Sequence, residues 1–247
     1  MAKQTGLGDL LLIDGVNFSG DIGSLGRIGG GNSPLDITGI DKFGFERIGG
    51  KRDGGIEFSA FFNDAAGAAH LNLRGLSLTD REATYFRGQT LGGSGASIIA
   101  KQINYDPTRA DSGELTLAVQ ALANGFGLEW GDQLTAGLRT DTTATNGTGV
   151  DLIDVTTAFG WQAYLHVLSV VGTSVTVAIQ DSADNAAFAA LTGGTFAAVL
   201  AGTFGAQRLQ GGSTATVRRF LRVVTTGTFS SAVFAVVFTR NRTDTTF

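Results

Sequence analysis

The sequence predicts an all-β protein with one short helix, and three observations carry the prediction. Glycine is abundant, 37 of 247 residues against 2 prolines, and supplies the positive φ that tight turns between strands require. Apolar side chains recur at every second position in one segment after another. A single stretch breaks that rhythm with an alanine-rich, helix-favouring composition.

Taken in order, "GVNFSGDIGSLG" (15–26) and "GIEFSAFF" (55–62) read as strands, the second with Ile56, Phe58, Ala60 and Phe62 on one face. "NDAAGAAHLNLRG" predicts the helix, over about 63–75, with Asn63 or Asp64 capping its first turn and Gly75 ending it. "REATYFRG", "ASIIAKQINYD" and "GELTLAVQALAN" return to period two, with Leu115, Leu117 and Val119 facing one way. Four further strands follow in "GWQAYLHVLSV", "SVTVAIQDSADN", "VRRFLRVVTTG" and "SSAVFAVVFTR", spaced by turn-forming residues as in a jelly roll or immunoglobulin-like sandwich.

Charge divides the chain. Residues 1–140 hold 12 basic and 16 acidic side chains, a net of −4, and residues 141–247 hold 6 of each, a net of 0. "RTDTTATNGTGVDL" (139–152) lies at the shift and has the composition of a linker or long surface turn. The expected organisation is therefore a β module over 1–144 that contains the helix, followed by an antiparallel sandwich over 145–247.

Several function classes lose their chemistry. With no cysteine and only His70 and His166, thiolate and histidine-rich metal sites are excluded. A net charge of −4 disfavours tight wrapping of nucleic acid, which needs clustered cations. The apolar run Leu10–Ile13 is too short for a secretory signal, and no stretch approaches the roughly 20 apolar residues of a membrane span. No membrane insertion is expected. The glycine stretches "LGRIGGGNSPLD" (25–36) and "ERIGGKRDGG" (46–55) suggest a phosphate cradle. A phosphate loop ends in Gly-Lys-Ser/Thr and opens a helix; the first stretch has no lysine, and in the second Lys51 precedes Arg52. Both read instead as hairpin loops. "GGSGAS" (92–97) lacks the strand-to-helix setting of a nucleophile elbow, and His70 and His166 are expected to be packed or surface residues. No enzyme activity, catalytic residue, cofactor or metal is expected. Asp181, Asp184 and Asn185 in "QDSADN" either ligate calcium or form an ordinary turn, and the missing further carboxylate at ligand spacing favours the turn. Trp161 and Tyr164 either stack on a sugar or belong to the core, on opposite faces of their strand.

At "FFNDAAGAAH", "TYFRG", "AKQINYDPTR" and "GELTLAVQALANGFGLEWG" the chain resembles the major tail tube proteins of long-tailed bacteriophages, siphovirus-type, with a C-terminal β-sandwich appendage. The resemblance covers residues 1 to about 140; "IQDSADN" and "RRFLRVVTTGTFSSAVFAVVF" resemble the appendages more distantly. It implies a structural virion protein, assembled in the host cytoplasm, whose hexameric rings stack into the conduit for genome delivery, with the C-terminal domain displayed outside. Its partners would be other copies of itself, the tape measure, tail terminator and distal tail proteins, and DNA in transient, non-specific contact within the bore. Carried onto this chain, the segment Gly26–Lys51 corresponds to the connection used between rings. Arg27, Gly29, Gly30, Gly31, Arg47, Lys51 and Arg52 then become contact candidates, with Asp80, Glu82 and Asp106 as acidic partners on a neighbouring copy. The alternative is a carbohydrate-binding or host-adhesion module, with Trp161, Tyr164, Asp181, Asp184 and Asn185 touching a host surface glycan.

Overall fold

A computed structural model describes residues 6–153 and 155–245; the first five residues of the N-terminal reading lie outside that range. The chain is nearly all β with one short helix, as the composition predicts. It divides into two compact units, each assembled from separate stretches. One contains residues up to Gly20, Glu82–Ser97 and everything from Glu129 onward; the other contains Asp21–Arg81 and Ile98–Leu128. Residues 139–152 lie inside the first unit, where β10 (Arg139–Asp141) and β11 (Val150–Asp151) pair with the last strand.

The first unit is built on two very long antiparallel strands, β12 (Trp161–Ser182) and β16 (Phe220–Arg240). The sequence suggests four strands here, because Gly172 and "TTG" at 225–227 look like turns. Both are instead bends within a continuous ladder. Gly172 (φ 134°) and Gly227 (φ 123°) adopt backbone that L side chains rarely enter. The register shifts between Val171 and Gly172 and between Gly172 and Ser174, so the strands bend without losing their pairing. Alternate residues Trp161, Ala163, Leu165 and Val167 face a core completed by Leu221, Val223, Phe234, Val236 and Phe238. Trp161 stacks on Phe238 with ring centroids 5.5 Å apart. Beyond β16 the sheet continues through β9 (Glu129–Gln133), the first four residues of β6 (Ser94–Gln102), β5 (Arg81–Phe86), β1 (Leu10–Ile13) and β2 (Val16–Asn17). On the other side of β12 lie β13 (Ala189–Thr195), β14 (Val199–Leu200) and β15 (Gly205–Gln210).

In the second unit β3 (Ile22–Asp36) and β4 (Arg47–Phe61) form a hairpin with 15 residues in each arm. β4 pairs in turn with β8 (Leu115–Ala123), which also pairs with β7 (Asp106–Arg109) and with the end of β6. Ile56, Phe58 and Ala60 lie opposite Ala121, Val119 and Leu117 and are buried with them. This is the period-two face read from the sequence, except that Phe62 lies past the strand end and is 36% exposed. The helix α1 spans only Ala69–Leu73. Asn63 is spent elsewhere: its Oδ1 accepts from the Ala65 N–H (3.1 Å) and its Nδ2 donates to Asp21 (2.8 Å). Gly67, at φ 81°, breaks the helical path before Ala68. The first turn takes its acceptor from afar, the Asp21 carboxylate receiving the Ala69 N–H at 2.9 Å.

Placing a side chain at the bend should be costly. Gly227→Ala forces a β-carbon against the Ser174 carbonyl in a strained φ region, at roughly 1–3 kcal/mol. The variant should therefore show a lower midpoint of denaturant unfolding at unchanged m-value, and an unchanged midpoint would contradict the assigned bend.

Candidate functional site

The glycine motifs are strands rather than loops. Residues 26–36 and 47–51 belong to β3 and β4, and only 37–46 connect them. Gly29, Gly30 and Gly31 lie opposite Gly55, Gly54 and Asp53, and Leu128 comes close to two of these positions. A β-carbon on Gly54 would come within 2.7 Å of the Leu128 Cβ, and one on Gly30 within 3.2 Å. Close approach, not φ, explains Gly30 and Gly54. Leu128 itself is 7% exposed.

Past this seat the hairpin carries large apolar side chains into solvent. Leu35, Ile37, Ile40, Phe43, Phe45 and Ile48 are all about half exposed or more, and Ile40 and Phe43 fully so. Asp36 anchors the turn, its Oδ1 accepting from the Thr38 N–H (2.9 Å) and hydroxyl (2.5 Å). Those bonds hold its carboxyl below the usual range. Lys42 bridges Asp41 (3.9 Å) and Glu46 (3.6 Å), and the Arg47 guanidinium lies 4.4 Å from the centroid of Phe45. An apolar cluster of this size at a hairpin end is the surface that a monomer ordinarily avoids. Sequence reasoning passed over Ile37, Ile40, Phe43 and Phe45; the available signal was large apolar residues beside the turn formers Gly39 and Gly44.

The predicted contact residues are distributed unevenly. Arg47 and Lys51 are exposed and Arg52 is half-buried. Arg27 is exposed but paired within its own chain, 3.7 Å from Glu57. Asp80 is exposed and engaged by Lys101 (2.8 Å) and the Asn124 amide (2.8 Å), and Asp106 is exposed and accepts from Asn104 (2.5 Å). Glu82 is 5% exposed and lies inside the first unit, where no neighbouring copy can reach it.

The glycan candidates are likewise interior. Trp161 and Tyr164 are both 0% exposed and face opposite sides of β12. Asp181 accepts the Arg218 backbone N–H (2.9 Å) and its guanidinium (2.6 Å), so a cation already occupies that carboxylate. Asp184 closes the turn by accepting from the Ser182 hydroxyl and from the N–H groups of Ala186 and Ala187 at 2.8–2.9 Å, and these bonds hold its carboxyl at about 2. Asn185 takes the left-handed conformation of the turn, at φ 61°. Among the described residues no group of three or more His, Asp or Glu is placed to hold a metal ion, and no helix is long and apolar enough to cross a membrane.

Tyr164 belongs to a buried polar cluster in the first unit. Its hydroxyl donates to Glu129 at 2.5 Å and accepts from Arg208 Nε at 2.9 Å, and Arg208 Nη2 lies 3.2 Å from Glu129. Burial and the Glu129 charge push the Tyr164 hydroxyl far above its ordinary value. On the same face His166 is fully buried. Its Nδ1 accepts the Gly15 N–H (3.2 Å), so its hydrogen sits on Nε2 and is donated to Thr84 (2.8 Å), whose hydroxyl meets Ser97 (3.0 Å). Burial lowers the His166 pKa to about 3. Glu82, 3.7 Å from His166 Nε2, is raised well above its ordinary value by burial and by Asp14. His70, by contrast, is half-buried, with Nδ1 2.5 Å from the Tyr105 hydroxyl. The interior groups form two hydrogen-bonded sets, Tyr164 with Glu129 and Arg208 and His166 with Thr84 and Ser97, an arrangement that specifies strand register.

No family model and no curated protein matches the chain. Among solved structures it is similar to a chain of the virion of a native gene transfer agent particle, at 18% identity over 52% of this chain and 98% of that one, with a TM-score of 0.41. It is also similar to the SPP1 Dit protein, described as a hub of the adsorption apparatus in phages infecting Gram-positive bacteria, at 10% identity over 94% and 99% of the two chains and a TM-score of 0.35. A chain of the phage p2 baseplate in its activated conformation is similar at 10% identity over 96% and 99%, with a TM-score of 0.31. At these scores the likenesses assign no function to this chain.

The buried histidine makes a prediction about acid. A folded pKa of about 3 against an ordinary 6.5 means the folded state resists protonation, so this contribution is complete above about pH 6.5 and is lost progressively as pH falls toward 3. His166→Gln should therefore lose less stability than the parent chain between pH 7 and pH 4.5, measured by denaturant midpoints. Equal losses in the two proteins would contradict the assignment.

Proposed function

We propose that this chain is a structural subunit of a phage tail tube, assembling with copies of itself into stacked hexameric rings that conduct the genome, without catalytic activity of its own. The observation that carries the reading is the β3–β4 hairpin. Among the described residues β3 pairs only with β4, which leaves 15 residues of strand edge open beneath an exposed apolar tip. An open edge invites strand addition, and a protein that adds its own copies converts that hazard into an interface. At the other side of the same sheet, again among the described residues, β7 pairs only with β8. Two unlike free edges suit head-to-tail addition, which closes into a ring when the rotation permits. The motif resemblance to tail tube proteins supports the same reading.

In this proposal Arg47 and Lys51 remain contact candidates because they are exposed beside the tip, with Asp106 an exposed acidic group on the β7 edge. The part displayed outside the tube is then the first unit, in which residues from Thr145 onward are folded together with residues up to Gly20, Glu82–Ser97 and the stretch from Glu129, and tape measure, terminator and distal tail proteins meet the assembled rings. The protein is a virion component that contacts DNA transiently within the bore, and the net charge of −4 keeps that contact weak. The carbohydrate-binding reading has no specific observation in its favour, because Trp161 and Tyr164 are both buried.

Negative-stain electron microscopy of the purified chain at rising concentration should show rings or tubes. Ile40→Asp with Phe43→Asp should keep the thermal unfolding midpoint of the parent chain and abolish these assemblies, since both side chains are solvated in the isolated subunit. Assemblies that persist in the double variant would rule out the hairpin tip as a contact.

A further inference from the structure

Asparagine is followed by glycine at two places, Asn124-Gly125 in the second unit and Asn146-Gly147 in the first. Both asparagines are exposed. In each pair the glycine nitrogen stands next to the asparagine side chain with no β-carbon to shield it. The backbone treats the two differently. The Gly147 N–H donates to the Val223 carbonyl at 2.8 Å, and a bridge pairs Asn146 with Val224. A β-carbon on Gly147 would meet that carbonyl and the Arg139 guanidinium, so its nitrogen is pinned in a crowded seam. Gly125 lies in an open bend just past β8, at φ 79° and exposed, with no heavy atom within 4 Å of where a β-carbon would stand. Among the described residues no backbone carbonyl accepts its N–H.

We propose that Asn124 is a site of spontaneous deamidation, selected by the fold over Asn146, and that the reaction cuts a tie holding the stretch after α1. The Asn124 Nδ2 donates to Asp80 Oδ1 at 2.8 Å, and the Lys101 Nζ lies 2.8 Å from the same oxygen while also donating to the Leu78 carbonyl. In the reaction hydroxide removes the Gly125 amide proton, and the nitrogen attacks the Asn124 Cγ to close a cyclic imide. The Cγ–Nδ2 bond breaks, and Nδ2 leaves as ammonia with a proton from water. Water then opens the imide at either carbonyl, so water is taken up, ammonia is released, and the product is aspartate or isoaspartate. Either product exchanges the amide donor facing Asp80 for a carboxylate, and like charges then meet where a hydrogen bond stood. Isoaspartate also lengthens the main chain on the path from β8 to Leu128, which comes close to Gly54 and Gly30 of the hairpin.

The full chain is held at neutral and at mildly alkaline pH, and the peptides around Asn124 and Asn146 are followed by mass spectrometry, with isoaspartate read by enzymatic methylation. Conversion at Asn124 should run about tenfold or more faster than at Asn146, where the Gly147 hydrogen bond and the bridge beside it must open first. The rate should rise with pH, and in denaturant the two sites should convert at similar rates. Equal rates in the folded chain, or a difference that persists unchanged in denaturant, overturn the selection by the fold. Two variants test the tie. Asn124→Gln keeps an amide on a longer side chain that closes the ring far more slowly, and conversion at this position should disappear. Asn124→Asp carries the product charge from the start, and its amides over 76–80 should exchange hydrogen faster than those of Asn124→Gln. Equal exchange in the two variants overturns the tie.

Discussion

The close approach of Leu128 to the glycines of the β3–β4 hairpin is the contact on which the rest of the second unit depends. Without a β-carbon at Gly54 or Gly30, the backbone and β-carbon of Leu128 come up against the hairpin and join it to the segment that follows β8. The arms can then extend well past the seat, where Ile40 and Phe43 stand fully exposed and Leu35, Ile37 and Ile48 about half so. A hairpin whose connection carries Ile40 and Phe43 fully exposed is nonetheless paired along both arms, through three shifts of register. It is held from below by the β4–β8 ladder and capped above by the Asp36–Thr38 turn.

The first unit solves a different problem. Strands of 22 and 21 residues exceed what a compact sandwich accommodates if they run straight. Two glycines in unusual backbone regions, Gly172 and Gly227, let the β12–β16 pair bend while keeping its ladder. One face of β12 then carries the apolar core, and the other carries Tyr164 and His166 with their buried partners. A register slip of one residue would exchange those faces, bringing His166 into the apolar layer and Trp161 among carboxylates. The polar cluster therefore enforces alignment.

Much of this was legible in the sequence. The all-β character, the core face of Ile56, Phe58 and Ala60, and the opposite facing of Trp161 and Tyr164 follow from local composition and a period of two. The structure departs from the sequence reading where a distant residue decides. The glycine stretches read as loops because Leu128, which comes close to Gly30 and Gly54, lies far along the chain. The helix shortened because Asn63 bonds Asp21 instead of capping, and Gly172 and Gly227 read as turns because nothing local distinguishes a turn from a bend in a paired strand. The hairpin tip was missed for another reason: period analysis looks for apolar residues that face a core, and these face none.

The central claim is that the open edge of β3 and the hairpin tip are covered by other copies of the same chain. Hydrogen–deuterium exchange, resolved along residues 22–48 and compared between dilute monomer and assembled protein, tests it most directly. The account predicts that amides of β3 not bonded to β4, and those of the 37–46 connection, exchange freely in the monomer and become strongly protected on assembly. Exchange in this segment that is the same in both states would contradict it.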